Sequence, residues 1–136
     1  MFEDERGTFS ETFNAQNFLD QTGISVNFVQ DNESTSKYGV VRGLHFQTGV
    51  HGQTKLVRVV KGSALDVVVD LRKGSPSFGK SFSVVLSGEN KKQLFVPRGF
   101  AHGFSVLEDD TVFAYKCDAY YNKESERGIV YNDATL

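Results

Sequence analysis

Arg42, His45 and Gln47 stand close together in Gly39-Val-Val-Arg-Gly-Leu-His-Phe-Gln47. A guanidinium can hold an anion, and an imidazole can take or give a proton near neutral pH. On a strand, side chains alternate between faces, so Arg42 and Leu44 are expected to point one way and His45 and Gln47 the other. Gly43 would allow a bulge there, or the close approach of a ligand. A lone histidine carries little weight by itself, so the companions matter. Lys55 and Tyr115 each share a strand with apolar neighbours, and either could project inward. Equally, Lys55 could snorkel to solvent and Tyr115 could be an ordinary amphipathic aromatic. Asp66 lies inside the apolar run Leu65 to Val69, where a carboxylate is costly unless it is paired or hydrogen-bonded. Gathered at the mouth of a β scaffold, these groups would make a ligand pocket.

The elements that must position them follow from turn signals. Asp4 to Gly7 reads as a turn and Thr8 to Phe13 as a strand. Asn14 to Thr22 reads as the one short helix, closed by Gly23. Val26 to Gln30 reads as a strand, followed by a polar loop from Asp31 to Ser36. The loop 48–53 contains His51, read as an exposed histidine with no role. From Thr54 onward the pattern is strand and turn. The expected strands are Lys55 to Val60, Ala64 to Leu71, Ser81 to Leu86, Gln93 to Val96, Gly103 to Leu107 and Thr111 to Cys117. Short strands at this spacing indicate an all-β sandwich or barrel, and their number favours a double-sheet jelly roll.

The chain has 136 residues and a formal net charge of -2, which gives no overall pull towards nucleic acid or an anionic membrane. One domain is expected, with no nucleic-acid and no membrane partner. Cys117 is the single cysteine, so there is no intrachain disulfide framework, which suits a reducing compartment. The first residues lack a signal-peptide pattern and no apolar run is long enough to span a bilayer, so a cytoplasmic location is expected. No glycine-rich dinucleotide loop is present.

Pro97-Arg-Gly-Phe-Ala-His102 matches the second signature of the cupins. The first signature reads His45-Phe-Gln47, where metal-binding cupins carry His-x-His. Gly49, Val50, His51 and Gly52 stand where the glutamate ligand would follow. A catalytic metal site usually needs three protein ligands, and His45 and His102 supply two. No metal and no cofactor is expected.

Longer motifs carry a more specific resemblance. They include Phe2-x-Asp-x-Arg-Gly-x-Phe-x-Glu11, Gln30-Asp-Asn32 with Ser34, Arg42-Gly-Leu-His-Phe-Gln47 and Lys55-Leu-Val-Arg-Val. Further on come Asp66-Val-x-Val-Asp-Leu-Arg72, Ser75-Pro-x-Phe-Gly79, Pro97-x-Gly-Phe-Ala-His-Gly-Phe104, Tyr115-Lys-Cys and Tyr120-Tyr121. The chain resembles the dTDP-4-dehydrorhamnose 3,5-epimerase family, metal-free cupins of deoxysugar biosynthesis.

The resemblance implies a reaction. A dTDP-linked 4-keto-6-deoxyhexose would be deprotonated beside its ketone and reprotonated from the opposite face, inverting C-3 and C-5. His45 is then the general base, Lys55 the cation facing the C-4 oxyanion, and Tyr115 the acid on the other face. Arg42 and Arg6 resemble diphosphate-binding residues, with Gln30 and Asn32 nearby. His102 and Asp66 would lie close to the base and the sugar, and Tyr121 near the nucleotide base. Family members are dimers with exchanged N-terminal strands, so Arg6 and Glu11 would reach a partner's site.

The family also places an aspartate from a C-terminal segment against the catalytic histidine. This chain is expected to lack that segment and the usual first strand, Asp133 being its last carboxylate, with Asp66 as a possible substitute. Within the same scaffold a single-position epimerase, a keto-isomerase, a metal-dependent cupin or a non-catalytic sugar-nucleotide binder are the alternatives.

Overall fold

Two antiparallel sheets, one of four strands and one of five, carry most of the computed structural model, which describes residues 2–47 and 52–128. The chain runs through β1 (Phe2–Asp4), β2 (Gly7–Phe9), α1 (Ala15–Thr22), β3 (Gln30–Ser36), β4 (Val41–Gln47) and β5 (Lys55–Lys61). It continues through β6 (Ser63–Asp70), β7 (Ser81–Ser87), β8 (Gln93–Val96), β9 (Phe100–Val106) and β10 (Thr111–Cys117). A 3-10 turn, Lys123–Ser125, leads into β11 (Glu126–Gly128). The smaller sheet has the order β3-β10-β5-β8 and the larger β11-β4-β9-β6-β7, while β1 and β2 form a separate hairpin. This is the expected all-β jelly roll, with one α-helix among the described residues. Among the described residues no helix is long and apolar enough to cross a membrane.

The core follows from alternation along the strands. Val57 and Val59 on β5 and Phe113 on β10 meet Ala64, Leu86, Phe104 and Val106 from β6, β7 and β9. The rings of Phe104 and Phe113 stack with centroids 4.0 Å apart. Fully burying a side chain of this size is worth about 1.5–3 kcal/mol, so this cluster clamps one end of the two sheets together. The other end carries the polar side chains. Leu44, Val69 and Ala101 form a second buried cluster in the larger sheet, packed with Phe46, Val67 and Leu71.

The helix has the expected caps. The Asn14 side chain accepts from the Asn17 N–H at 3.1 Å, and Gly23, at φ 74°, closes the other end by donating to the Leu19 carbonyl at 2.8 Å. Phe18 packs on Phe13 and on Phe95 of β8, with centroids 6.0 and 5.4 Å apart. The helix is therefore pinned to the smaller sheet by aromatic contacts.

Three expectations about elements are corrected. The strand expected over Thr8 to Phe13 is a short hairpin, Phe2–Asp4 paired with Gly7–Phe9, and it ends before Phe13. The strand expected over Val26 to Gln30 instead begins at Gln30 and runs through the supposed polar loop to Ser36. Its backbone is satisfied by pairing with β10, from Gln30↔Cys117 to Ser36↔Thr111, so it needs no apolar side chains to be a strand. The alternation expected for β4 is also broken. Arg42 pairs with Phe104 and His45 with His102, three steps on β4 against two on β9. The extra residue is a bulge, and it shifts the facing of everything beyond it. Gly43 makes this possible. It has φ 110°, and a Cβ there would lie 2.6 Å from Gly103 Cα and 2.7 Å from the His102 carbonyl oxygen. His51 and Asp133 lie outside the described residues.

Candidate active site

A cavity of about 510 Å³ opens at the polar end of the jelly roll. Arg42 and His45 line it together, because the bulge has brought both to the same side, along with His102 of β9. Lys55, Tyr115 and Asn32 line it from the smaller sheet. Strands from both sheets therefore converge on one space. Lys55 Nζ sits 5.4 Å from the centre of the Tyr115 ring. Arg42 Nε donates to Ser36 Oγ at 3.2 Å, which steadies its guanidinium beside the cavity.

Burial sets the electrostatics. Lys55 is pushed below the ordinary lysine range by the loss of water around it, and the carboxylates of Asp66 and Glu126 oppose that shift. Tyr115 is pushed above the ordinary phenol range, again mainly by burial, while the neighbouring Asn32 side chain and the charge of Arg42 oppose the shift. Burial therefore favours the uncharged form of both groups, the phenol and the amine.

The two histidines sit differently. His45 has a side chain 52% exposed, and its Nδ1 lies 3.5 Å from Glu126 Oε1. His102 is buried and its Nε2 lies 2.5 Å from Asp66 Oδ1, with Asp66 fully buried. Asp66 therefore does not stand in as the carboxylate at His45, since its near oxygen is taken by His102. Glu126 occupies that place. The sequence reading missed it because Lys123-Glu-Ser-Glu-Arg127 looks like a solvated charged run. The one signal was tertiary. β11 pairs with β4 so that Glu126 faces Gln47 and Gly128 faces His45, which makes Glu126 and His45 diagonal neighbours.

Other expected residues are distributed around this centre. Gln30 Nε2 donates to Asn32 Oδ1 at 3.0 Å, and its Oε1 accepts from the Tyr121 N–H at 3.1 Å. The Tyr121 hydroxyl donates to Glu126 Oε2, which raises the phenol's pKa. Gln30, Asn32, Tyr121, Glu126 and His45 thus form one connected wall. Arg6 and Glu11 are not part of it. Arg6 is exposed on the hairpin turn and pairs with Asp4 at 2.7 Å, and Glu11 is also exposed. Among the described residues no group of three or more His, Cys, Asp and Glu could hold a metal ion.

The model of the dTDP-4-dehydrorhamnose 3,5-epimerase family matches residues 1–136. The chain belongs to this family. It is 53% identical over 136 residues to the dTDP-4-dehydrorhamnose 3,5-epimerase of Shigella flexneri, covering all of this chain and 75% of that protein. The dTDP-4-dehydrorhamnose 3,5-epimerase of Elizabethkingia anophelis superposes with a TM-score of 0.93 at 56% identity, over 99% of this chain and 74% of that one. The dTDP-6-deoxy-D-glucose-3,5-epimerase of Legionella pneumophila, solved in complex with dTDP-4-keto-L-rhamnose, superposes with a TM-score of 0.96 at 52% identity, over 99% and 71% of the two chains.

Proposed function

We propose that this isomerase inverts C-3 and C-5 of a dTDP-linked 4-keto-6-deoxyhexose, in dTDP-rhamnose-type deoxysugar biosynthesis. The observation that carries the mechanism is the convergence of His45, Lys55 and Tyr115 on one cavity from different strands. A proton on carbon beside a ketone is acidic only if the developing enolate is stabilised. The Lys55 ammonium supplies that charge, a preorganised effect that is often the largest catalytic term. His45, with Nδ1 towards Glu126, uses Nε2 to take the proton. Tyr115, kept neutral by burial, delivers a proton to the opposite face. Each step is a proton transfer, so the reaction as written uses no metal and no redox cofactor.

Binding groups are assigned in the same proposal. Arg42 faces the diphosphate, with Gln30 and Asn32 beside it. Tyr121 packs near the nucleotide base, and His102 faces the sugar with Asp66 buried behind it. Arg6 on the hairpin and Glu11 just after it act from a second copy in a homodimer. An isolated two-stranded hairpin is marginal in water, which supports its docking on another chain. The exposed Val41 and Val85 on the larger sheet support an interface as well. The single buried thiol suits a single cytoplasmic domain.

The test is incubation with the dTDP-4-keto-6-deoxyhexose in heavy water, followed by NMR. Deuterium should enter at both carbons beside the ketone. His45→Asn should stay folded and lose exchange by at least ~10²–10⁴-fold, the usual worth of general acid–base catalysis. Exchange at the unmutated rate would remove His45 from the role of base.

A further inference from the structure

Asp66 is more deeply placed than a substrate-binding carboxylate needs to be. It is fully buried on β6, and His102 holds only one of its oxygens. The other, Oδ2, has no hydrogen-bond partner among the described residues. A buried carboxylate that is half satisfied is costly, and a sequence would not keep one without a compensating charge nearby. Across the cavity from the larger sheet stands Lys55, likewise withdrawn from water and without a carboxylate in salt-bridge contact among the described residues. The ring of His102 links the two, lining the cavity with Lys55 while bonded to Asp66.

We propose that Asp66 is a positioning residue whose negative charge, fixed in place by His102, keeps the Lys55 ammonium protonated inside the dehydrated cavity. The proposal rests on Lys55 being the group that faces the enolate oxygen. It assigns the buried Asp66–His102 pair to the catalytic cation, separate from the Glu126–His45 pair that serves the base. The geometry favours Asp66 over the other charged groups around Lys55. Glu126 on β11 is engaged by Tyr121 and lies against His45. Asp118, beyond β10, is engaged by Arg98 and by the Thr54 N–H. Cys117 and Tyr115 on β10 are neutral at pH 7, held there by burial. Arg42 and His45 on β4 and His102 on β9 can only add positive charge. Glu33 of β3 also lines the cavity but is exposed to water, which screens its charge, so among the described residues Asp66 is the buried carboxylate with an oxygen left over. The direction of the Lys55 shift agrees, because burial lowers its proton affinity and the charge of Asp66 opposes this.

The experiment is an NMR pH titration of lysine side chains in the full chain, with Lys55 assigned by its loss in Lys55→Gln. In Asp66→Asn the Lys55 midpoint should fall by about 1–3 pH units, the range for removal of a nearby opposite charge. Should that variant fail to fold, the double variant Asp66→Asn, His102→Gln replaces the pair with two neutral amides that can still bond each other, and the same fall is expected. An unchanged midpoint in either folded variant overturns the proposal. The pH profile of kcat/KM separates this outcome from the reading of the reaction. If the alkaline limb moves down with the Lys55 midpoint, Asp66 acts through the catalytic cation. If the midpoint falls and the limb stays, the counter-charge stands and the role of Lys55 in the reaction is refuted.

Discussion

Tyr115→Phe separates the two halves of the proposed reaction. The substitution removes one oxygen and leaves the ring, which packs on Phe113 with centroids 6.1 Å apart and lies beneath Lys55. Phenylalanine keeps both contacts. What is lost from the fold is the phenol oxygen's polar contact with Asn32, its partner across the strand pair, worth about 1 kcal/mol at most. A domain of this size should then melt about 3–6 °C lower. What is lost from the reaction is the acid, worth ~10²–10⁴-fold, or about 3–5 kcal/mol of barrier. The catalytic effect should therefore exceed the structural one severalfold. The enolate should still form, since His45 and Lys55 are untouched, and it should be reprotonated mostly from the face it came from. Deuterium incorporation and product stereochemistry, read by NMR on the same sample, should part company, with exchange continuing while configuration is retained. Inversion at the unmutated rate would show that another group is the acid, Tyr121 being next in line. Loss of exchange and inversion together in a folded protein would show that Tyr115 acts before the enolate forms.

Other expectations concern the scaffold and its chemistry. Gly43→Ala should destabilise by about 3 kcal/mol, at the upper end for a point substitution, because the new Cβ meets backbone atoms of Gly103 and His102 that cannot give way; urea unfolding measures it, and a variant as stable as the parent would mean the bulge is not held as described. Asp70 is buried, paired with Arg72 at 3.0 Å and hydrogen-bonded by Ser75 and Ser77, which holds its carboxyl far below the usual range. A depressed carboxyl stabilises above its unfolded pKa and loses that contribution as pH falls. Asp70→Asn should hence be less stable than the parent at pH 7, with the gap narrowing below about pH 4, in melts across pH. Activity should survive chelation, and loss with EDTA that one divalent metal restores would overturn the metal-free mechanism.

Much of this architecture was legible from alternation. The runs Lys55 to Val60, Ala64 to Leu71 and Thr111 to Cys117 each show an apolar face, and each lies within a residue of a strand in the structure. Asp66 stood out as a polar intruder, and its bond to His102 explains it. The illegible parts are those where chemistry replaces hydrophobic pattern. β3 presents Asn32, Ser34 and Ser36 to the interior, so its inward face is polar and its outward face is polar too. A period-2 search finds nothing there. The facing of Arg42 and His45 could not be read either, because one inserted residue reverses the alternation and a glycine permits this without demanding it. Glu126 becomes a site residue only through pairing with a strand about eighty positions earlier.

The β1–β2 hairpin carries Phe2 and Phe9 with relative exposures of 74% and 68%. Their rings meet at 6.5 Å, on a turn that holds Arg6 away from its own chain's cavity. Should this hairpin complete a neighbour's site, inheritance of function becomes a property of pairs rather than chains. Arg6→Ala and His45→Asn subunits would each be defective alone. Mixed and reassorted, one site of each hybrid would combine an intact hairpin from one parent with an intact histidine from the other, and activity would reappear from two dead stocks. A cell carrying both alleles would then show intragenic complementation, a genetic signature written by a seven-residue turn-and-strand segment between Glu3 and Phe9.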